Sequence, residues 1–156
     1  MKPKVYIETT IASYLTGWPS RDLVIAAHQQ ITREWWQGRS RFDLYVSQIV
    51  IQEAAGGDPE AAAFRVQNLE GIHVLELSPE ARALAQQLVT QGPLPEKAGL
   101  DALHIGIAVV NGMDYLLTWN CTHIANATIR PMIEATCRLT GYEAPVICTP
   151  EELMEE

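Results

Sequence analysis

Polar side chains that could bind a metal ion follow several apolar segments of the chain. Glu8 comes directly after an apolar Val-Tyr-Ile triplet, and Glu53 lies within two helical turns of the second apolar segment. Asp101 interrupts an otherwise apolar stretch, and Asn120 follows the run Tyr-Leu-Leu-Thr-Trp. A carboxylate with apolar neighbours needs a hydrogen-bonding partner or a cation. These spacings therefore point to a cation site, provided that folding brings the residues together.

The chemistry of such a site follows from its oxygen ligands. Three converging carboxylates would repel each other unless a cation lay between them, and hard oxygen ligands suit Mg²⁺ or Mn²⁺. These ions activate water and stabilise charge on phosphate, which favours phosphodiester chemistry. The spacing leaves simpler explanations open. Glu8 and Glu53 could be solvated residues at the ends of a strand and a helix. Asp101 could be an acid in the first turn of a helix, and Asn120 could be a turn residue.

Alternating strand and helix patterns must position these residues. Cap-and-proline signals at Asp58-Pro59 and Ser78-Pro79 predict helix starts, and Ser20 is the expected N-cap of a further helix. The predicted strands are 5–7, 43–47, 72–77, 115–119 and 145–148. The predicted helices include 21–38, 48–55, 98–111 and 128–140, with a last short one after residue 149. This order predicts an α/β fold with about five mostly parallel strands, helices on both faces, and chemistry at the carboxyl ends of the strands.

Composition limits the class of protein. The 156 residues suit one domain, 1–156, with a short acidic tail at 151–156. The net charge of −8 argues against binding nucleic acid by charge alone. There is no apolar run of about 18 residues, so no membrane span is expected. The three cysteines lack metal-type spacing and are odd in number, which favours reduced thiols in a cytoplasmic protein.

Four segments together resemble a known family. They are residues 6–15 (YIETTIASYL), 47–53 (SQIVIQE), 101–105 (DALHI) and 115–120 (YLLTWN). The chain is similar to PIN domains from about residue 4 to 150, and most similar to their VapC-like toxin branch. The resemblance implies a PIN-like three-layer sandwich and an endoribonuclease that depends on Mg²⁺ or Mn²⁺. It also implies a protein that is commonly dimeric and silenced by an antitoxin.

The resemblance assigns catalytic and metal-binding roles by position. Glu8 matches the first acid of the family, which is more often aspartate, while Glu53 matches the second and Asp101 the third. Asn120 stands where many members have a fourth aspartate, after the threonine that Thr118 matches. Asn120 keeps an oxygen ligand but lacks the charge. The expectation is therefore one firmly bound metal, with any second ion weakly bound or supplied by the substrate. Reduced or narrow activity is the corresponding functional expectation.

Several neighbouring residues are candidates for contact with substrate. Thr9, Thr118 and His123 are expected to bind substrate, although helix capping, strand packing and loop closure are ordinary alternatives for them. Thr118 could instead orient a metal ligand. His104 shares a helical face with Asp101 and is expected to be a core or interface residue more than a proton carrier or RNA contact.

The sequence is interpreted in terms of three functions. The first is a divalent-metal-dependent endoribonuclease, the toxin of a type II toxin–antitoxin pair, with RNA as substrate and with a cognate antitoxin and a second copy as partners. The alternative is a catalytically weak or inactive PIN domain that binds RNA or protein. A flavodoxin- or receiver-like module is disfavoured, because the paired acids and late lysine of a receiver are missing.

Overall fold

The computed structural model describes residues 1–155 and contains one parallel sheet flanked by helices. The strands are β1 (Lys4–Ile7), β2 (Asp43–Ser47), β3 (His73–Leu75), β4 (Tyr115–Leu117) and β5 (Val146–Cys148). The helices are α1 (Thr9–Thr16), α2 (Leu23–Gln37), α3 (Gln48–Ala54), α4 (Pro59–Asn68), α5 (Pro79–Thr90), α6 (Gly99–Val110) and α7 (Arg130–Leu139). Short 3-10 turns cover Arg39–Arg41, Glu96–Ala98 and Glu151–Leu153.

The sheet has the strand order β3-β2-β1-β4-β5, and all four pairings are parallel. Right-handed crossovers place α1–α4 on one face and α5–α7 on the other. The packing agrees, because α1 contacts α2, α3 and α4, whereas α5 contacts α6 and α7. The predicted α/β fold with parallel strands is thus confirmed.

The central position of β1 in the sheet explains why its residues are apolar. Val5, Tyr6 and Ile7 of β1 are fully buried, since helices cover the sheet on both sides. A run without polar alternation is what such a position requires. Glu8 follows this run at the carboxyl end of the sheet and is itself only 3% exposed.

Helix starts follow their capping residues, with one correction. The side chains of Asp58 and Ser78 accept hydrogen bonds from the third residue after each, as the cap-and-proline signals predicted. The predicted N-cap at Ser20 is wrong. Asp22 caps α2, because its Oδ1 accepts from the backbone N–H groups of Val24 and Ile25, each at 3.0 Å.

No helix was predicted for the residues that form α1. The helix begins at Thr9, directly after Glu8, and Glu8 occupies the N-cap position without a side-chain capping bond. Two threonines and an isoleucine at the start carry no helix signal, because β-branched residues favour strands. The tight junction keeps Glu8, Thr9 and Thr10 together at the end of the central strand.

Close helix packing fixes α6 against α5. A Cβ atom at Gly106 would lie 2.4 Å from the backbone oxygen of Ala81, a separation that real Cβ atoms do not reach. Gly106 therefore lets the two helices approach. Since α6 carries both Asp101 and His104, this contact sets the position of two polar side chains.

The outer edge of β5 is occupied by a side chain. The backbone N–H of Val146 and the C=O of Cys148 form hydrogen bonds on the β4 side of the strand. The backbone N–H and C=O of Ile147, which lies between them, therefore point away from β4, toward the outer edge of the sheet. Arg130 donates from Nη1 to the oxygen of Ile147 at 3.0 Å.

The predicted acidic tail lies along the surface. Glu152 lies 3.6 Å from Arg130, and Glu155 lies 3.7 Å from Arg41. Glu156 falls outside the described residues. Within residues 1–155, the helices are all too short or too polar to cross a membrane.

Candidate metal centre

The neighbouring strands β1 and β2 end beside each other and bring two acids together. Glu8 follows β1, and Glu53 lies in α3, which begins directly after β2. One ligand atom each from Glu8, Glu53 and His104 lies within 4.8 Å of the other two. The carboxyl edge of the sheet thus gathers two carboxylates and one imidazole.

Two threonine hydroxyls hold Glu8. Thr10 and Thr118 each donate from Oγ1 to Oε1 of Glu8 at 2.5 Å. Both hydroxyl oxygens already accept a backbone N–H, from Trp119 at 2.8 Å and from Asn120 at 2.9 Å. These backbone donors direct the hydroxyl protons toward the carboxylate oxygen, so the two hydrogen bonds fix the orientation of Glu8.

Glu53 is held in the same way by two donors on one oxygen. Its Oε1 lies 2.5 Å from Oγ1 of Thr9 and 2.6 Å from Nε2 of His104. Burial alone raises the pKa of Glu53, but the hydrogen bonds from His104 and Thr9 outweigh it and lower the pKa below its ordinary value. Glu53 is therefore a carboxylate at neutral pH.

Both acids keep an oxygen for a cation. The Oε2 atoms of Glu8 and Glu53 accept no hydrogen bond from residues 1–155. No lysine or arginine of this described part forms an ion pair with either acid. Two neighbouring carboxylates, each with an oxygen free of hydrogen bonds and neither paired with lysine or arginine in the described residues, are the donors that Mg²⁺ or Mn²⁺ selects. The residues present therefore fit such an ion.

Asp101 is placed next to this group but is not part of it. Its Oδ2 lies 3.0 Å from Nδ1 of His123, a residue in the loop after β4. Asn120 lies in the same loop, where its Oδ1 accepts from the backbone N–H of His123 at 3.0 Å. The predicted ligand set of four is thus divided into a carboxylate pair and an adjacent Asp–His–Asn cluster, and the joint set stays a prediction.

The three candidate substrate contacts already have partners in the protein. Thr9 and Thr118 direct their hydroxyls at Glu53 and Glu8, which gives them an orienting role of the kind considered for Thr118. His123 contacts Asp101 and is about one-fifth exposed. A contact with substrate remains a prediction for all three.

His104 has a larger role in the geometry than the sequence indicated. It is 1% exposed, as expected of a core residue, yet both ring nitrogens have polar partners. Nε2 faces Glu53, and Nδ1 lies 2.7 Å from the hydroxyl of Tyr6. The available signal was its spacing of three residues from Asp101, which places both side chains on the same side of α6.

Comparison with known proteins identifies the fold. No family model matches the chain, and no curated protein matches its sequence. Among solved structures, VapC20 of Mycobacterium tuberculosis, a Sarcin-Ricin loop cleaving toxin, superposes with a TM-score of 0.59 at 14% identity. The match covers 76% of this chain and 91% of that one.

A second solved structure gives the same result. A chain of VapBC2 from Rickettsia felis, bound to a DNA fragment from its promoter, matches with a TM-score of 0.55 at 13% identity. That match covers 94% of this chain and 98% of the other. The chain therefore has a PIN-domain fold of the VapC type, as the resemblance in its sequence indicated.

Proposed function

We propose that the protein is a divalent-metal-dependent endoribonuclease, the toxin of a type II toxin–antitoxin pair. The observation that carries this proposal is the pair Glu8 and Glu53 at the carboxyl edge of the sheet. Each acid is held by two donors on one oxygen and keeps its other oxygen unbonded. The likeness of the fold to a toxin that cleaves RNA supports the choice of substrate.

The roles of the residues follow from their contacts. Glu8 and Glu53 would hold the ion, and Asp101 and Asn120 are the residues proposed to complete its ligands. A bound Mg²⁺ or Mn²⁺ supplies activation of water and stabilisation of charge on the phosphate. The protein fixes the two carboxylates in advance and places them beside the half-exposed loop after β4, where RNA would bind.

Charge explains why RNA cleavage would need the ion. The chain carries a net charge of −8, and the centre adds carboxylates without a paired lysine or arginine within residues 1–155. Such a site repels phosphate until a divalent cation reverses the local sign. RNA binding at this edge should therefore depend on the metal as much as cleavage does.

The test is cleavage of a structured RNA by protein stripped with EDTA and then reloaded. Mg²⁺ or Mn²⁺ should restore cleavage, and Glu8→Gln, Glu53→Gln and Asp101→Asn should each remove most of it. Thr136→Val serves as the control, because it removes a buried hydroxyl from α7, away from the centre. Cleavage that persists in EDTA, or at the wild-type rate in Glu8→Gln, would contradict the proposal.

The partners are part of the same proposal. A small cognate antitoxin and a second copy of the chain are the proposed partners, with the cytoplasm as the compartment. Trp18, Leu23 and Val24 are 88%, 86% and 63% exposed, which supplies apolar surface at the start of α2 for a protein contact. Light scattering of the purified chain, alone and co-expressed with the product of a neighbouring gene, tests both partners.

A catalytically weak PIN domain that binds RNA or protein is the second candidate. It is favoured by the bond between Asp101 and His123 and by the missing charge at Asn120, since both weaken the ligand set. Metal-dependent RNA binding without cleavage under Mg²⁺ or Mn²⁺ would select this function over the nuclease.

A further inference from the structure

We propose that His104 is a positioning residue that holds Glu53 through a hydrogen-bond relay from Ser47 and Tyr6, and that it does not bind the ion itself. The inference rests on the proposed function only in treating Glu53 as a metal ligand. The relay is a property of the protein alone, so it can be tested without metal, RNA or activity.

Both ring nitrogens of His104 are already engaged in hydrogen bonds. A ring nitrogen lies within 4.8 Å of the ligand atoms of Glu8 and Glu53, a distance that by itself would suggest a third ligand. Yet Nε2 is 2.6 Å from Oε1 of Glu53, and Nδ1 is 2.7 Å from the hydroxyl of Tyr6. With the ring 1% exposed, neither nitrogen can turn to an ion without breaking a buried hydrogen bond.

The contacts of Ser47 determine the direction in which protons are donated along the relay. Ser47 Oγ accepts from the backbone N–H of Val50 at 3.2 Å and lies 2.8 Å from the hydroxyl of Tyr6. Ser47 is fully buried, so its own proton needs an acceptor, and Tyr6 is the one in reach. Tyr6 then donates to Nδ1 of His104.

The relay ends at the carboxylate. With Nδ1 of His104 accepting from Tyr6, the ring proton lies on Nε2, where it is donated to Glu53. The reverse direction would leave the Ser47 proton without an acceptor.

The relay joins separate elements of the fold. Ser47 ends β2 and caps α3, Tyr6 lies in the central strand β1, and His104 comes from α6 on the opposite face. Glu53 lies on the seven-residue α3, and its side chain is 32% exposed. A buried ring fixed at both nitrogens, together with the hydroxyl of Thr9, thus orients a carboxylate that is partly exposed to solvent.

A consequence for the metal follows. With His104 in an orienting role, the ligands are oxygens only, and oxygen sites select Mg²⁺ and Mn²⁺ over ions that prefer imidazole, such as Zn²⁺ and Ni²⁺. Orienting partners of this kind typically change metal affinity by about 10- to 100-fold when they are removed. The inference thus predicts measurable effects from residues that never touch the ion.

The first experiment reads the relay in metal-free wild-type protein. Long-range ¹H–¹⁵N correlation spectra of the ¹⁵N-histidine-labelled protein report which ring nitrogen carries a proton. We expect His104 to show a proton on Nε2 and none on Nδ1, and Tyr6→Phe to shift the Nδ1 resonance. A proton on Nδ1 of wild-type His104 overturns the relay.

The second experiment measures Mn²⁺ affinity by calorimetry and by pulsed electron paramagnetic resonance. Tyr6→Phe should weaken Mn²⁺ binding about 10-fold, and His104→Leu should weaken it more. His104→Gln should recover part of the affinity, because its amide can still donate to Glu53. Tyr115→Phe is the matched control, since Tyr115 lies in the adjacent strand β4 and its hydroxyl makes no hydrogen bond within residues 1–155. Circular dichroism establishes that each variant is folded.

The outcomes separate this inference from the proposed function. Coupling of Mn²⁺ to a ¹⁵N-labelled histidine nitrogen that is present in the wild type and absent in His104→Leu overturns the positioning role. Unchanged affinity in Tyr6→Phe and His104→Leu also overturns it. Wild-type protein that binds no Mn²⁺ contradicts the proposed function and with it the metal consequence, while the tautomer measurement still decides whether the relay exists.

Discussion

Oδ2 of Asp101 lies 3.0 Å from Nδ1 of His123, so the third acid of the predicted ligand set is bonded to the loop after β4. The contact joins the first turn of α6 to the segment that carries Asn120. The hydrogen bond from His123 therefore competes with coordination of an ion by Oδ2 of Asp101.

Removing His123 should therefore strengthen metal binding. In His123→Ala the carboxylate of Asp101 has no competing donor, and a hydrogen bond of about 0.5–1.5 kcal/mol no longer opposes ligation. We expect Mn²⁺ to bind roughly 2- to 10-fold more tightly by calorimetry. Asp101→Asn should weaken binding, and the double variant should resemble Asp101→Asn. Weaker binding in His123→Ala would instead show that His123 supports the site.

Thr118 should contribute to stability as well as to the site. Thr118→Val removes a donor to the buried Glu8 and leaves the N–H of Asn120 without its acceptor. The free energy of unfolding should fall by about 1–3 kcal/mol. Thr118→Ser keeps the hydroxyl and should recover most of the loss. Urea unfolding in EDTA measures both variants, and equal stability of the valine variant and the wild type would contradict the assignment.

Gly106 should not tolerate a side chain. The new Cβ atom in Gly106→Ala would meet backbone atoms of α5, so overpacking should lower the free energy of unfolding by about 1–3 kcal/mol. Gly99→Ala is the control in the same helix, because no atom lies within 4 Å of its Cβ position. It should be neutral or stabilising by up to about 1 kcal/mol. Thermal unfolding of the two variants compares them directly.

Acid should reduce stability partly through Glu53. Its pKa is lowered in the folded, metal-free protein, so its contribution is complete above the unfolded pKa of about 4.3 and is lost as the pH falls through the lower folded value. Glu53→Gln lacks this contribution. Below about pH 4.3 the unfolding free energy of the variant should therefore fall less steeply than that of the wild type. Urea titrations from pH 7 downwards in EDTA give the two slopes, and identical slopes would contradict the lowered pKa.

The three thiols should differ in reactivity. Burial raises the pKa of Cys137 to about 11 and that of Cys148 to about 12, whereas Cys121 is exposed. At pH 8 a thiol reagent should modify Cys121 alone in the native protein and all three cysteines in denaturant. Rapid native modification of a second cysteine, located by mass spectrometry, would show that its surroundings open.

The sequence predicted the parts of the fold that burial and capping determine locally. The apolar triplet of β1 and the cap-and-proline pairs at Asp58 and Ser78 act over a few residues, so their elements were predicted correctly. The start of α1 was missed, because tertiary packing overrides the strand preference of Thr9 and Thr10. The start of α2 differs from the predicted residue 21, because Asp22 and not Ser20 accepts the first backbone N–H groups of the helix.

The site was predictable only where strand order determines it. Glu8 and Glu53 follow neighbouring parallel strands, so their meeting is a consequence of topology. The contacts of Tyr6 with His104 and of Asp101 with His123 join residues 98 and 22 positions apart and depend on side-chain orientation. No spacing in the chain encodes such pairs, and the aromatic hydroxyl of a central strand gives no sign of its partner.

Arg130 donates a hydrogen bond to the outward-facing carbonyl of Ile147, and this contact bears on the tendency of the chain to aggregate at high concentration. A strand at the border of a sheet can recruit a foreign strand through its unpaired backbone groups. With that acceptor occupied by a charged side chain, β5 is a poor template for intermolecular pairing, and aggregation through this border is discouraged.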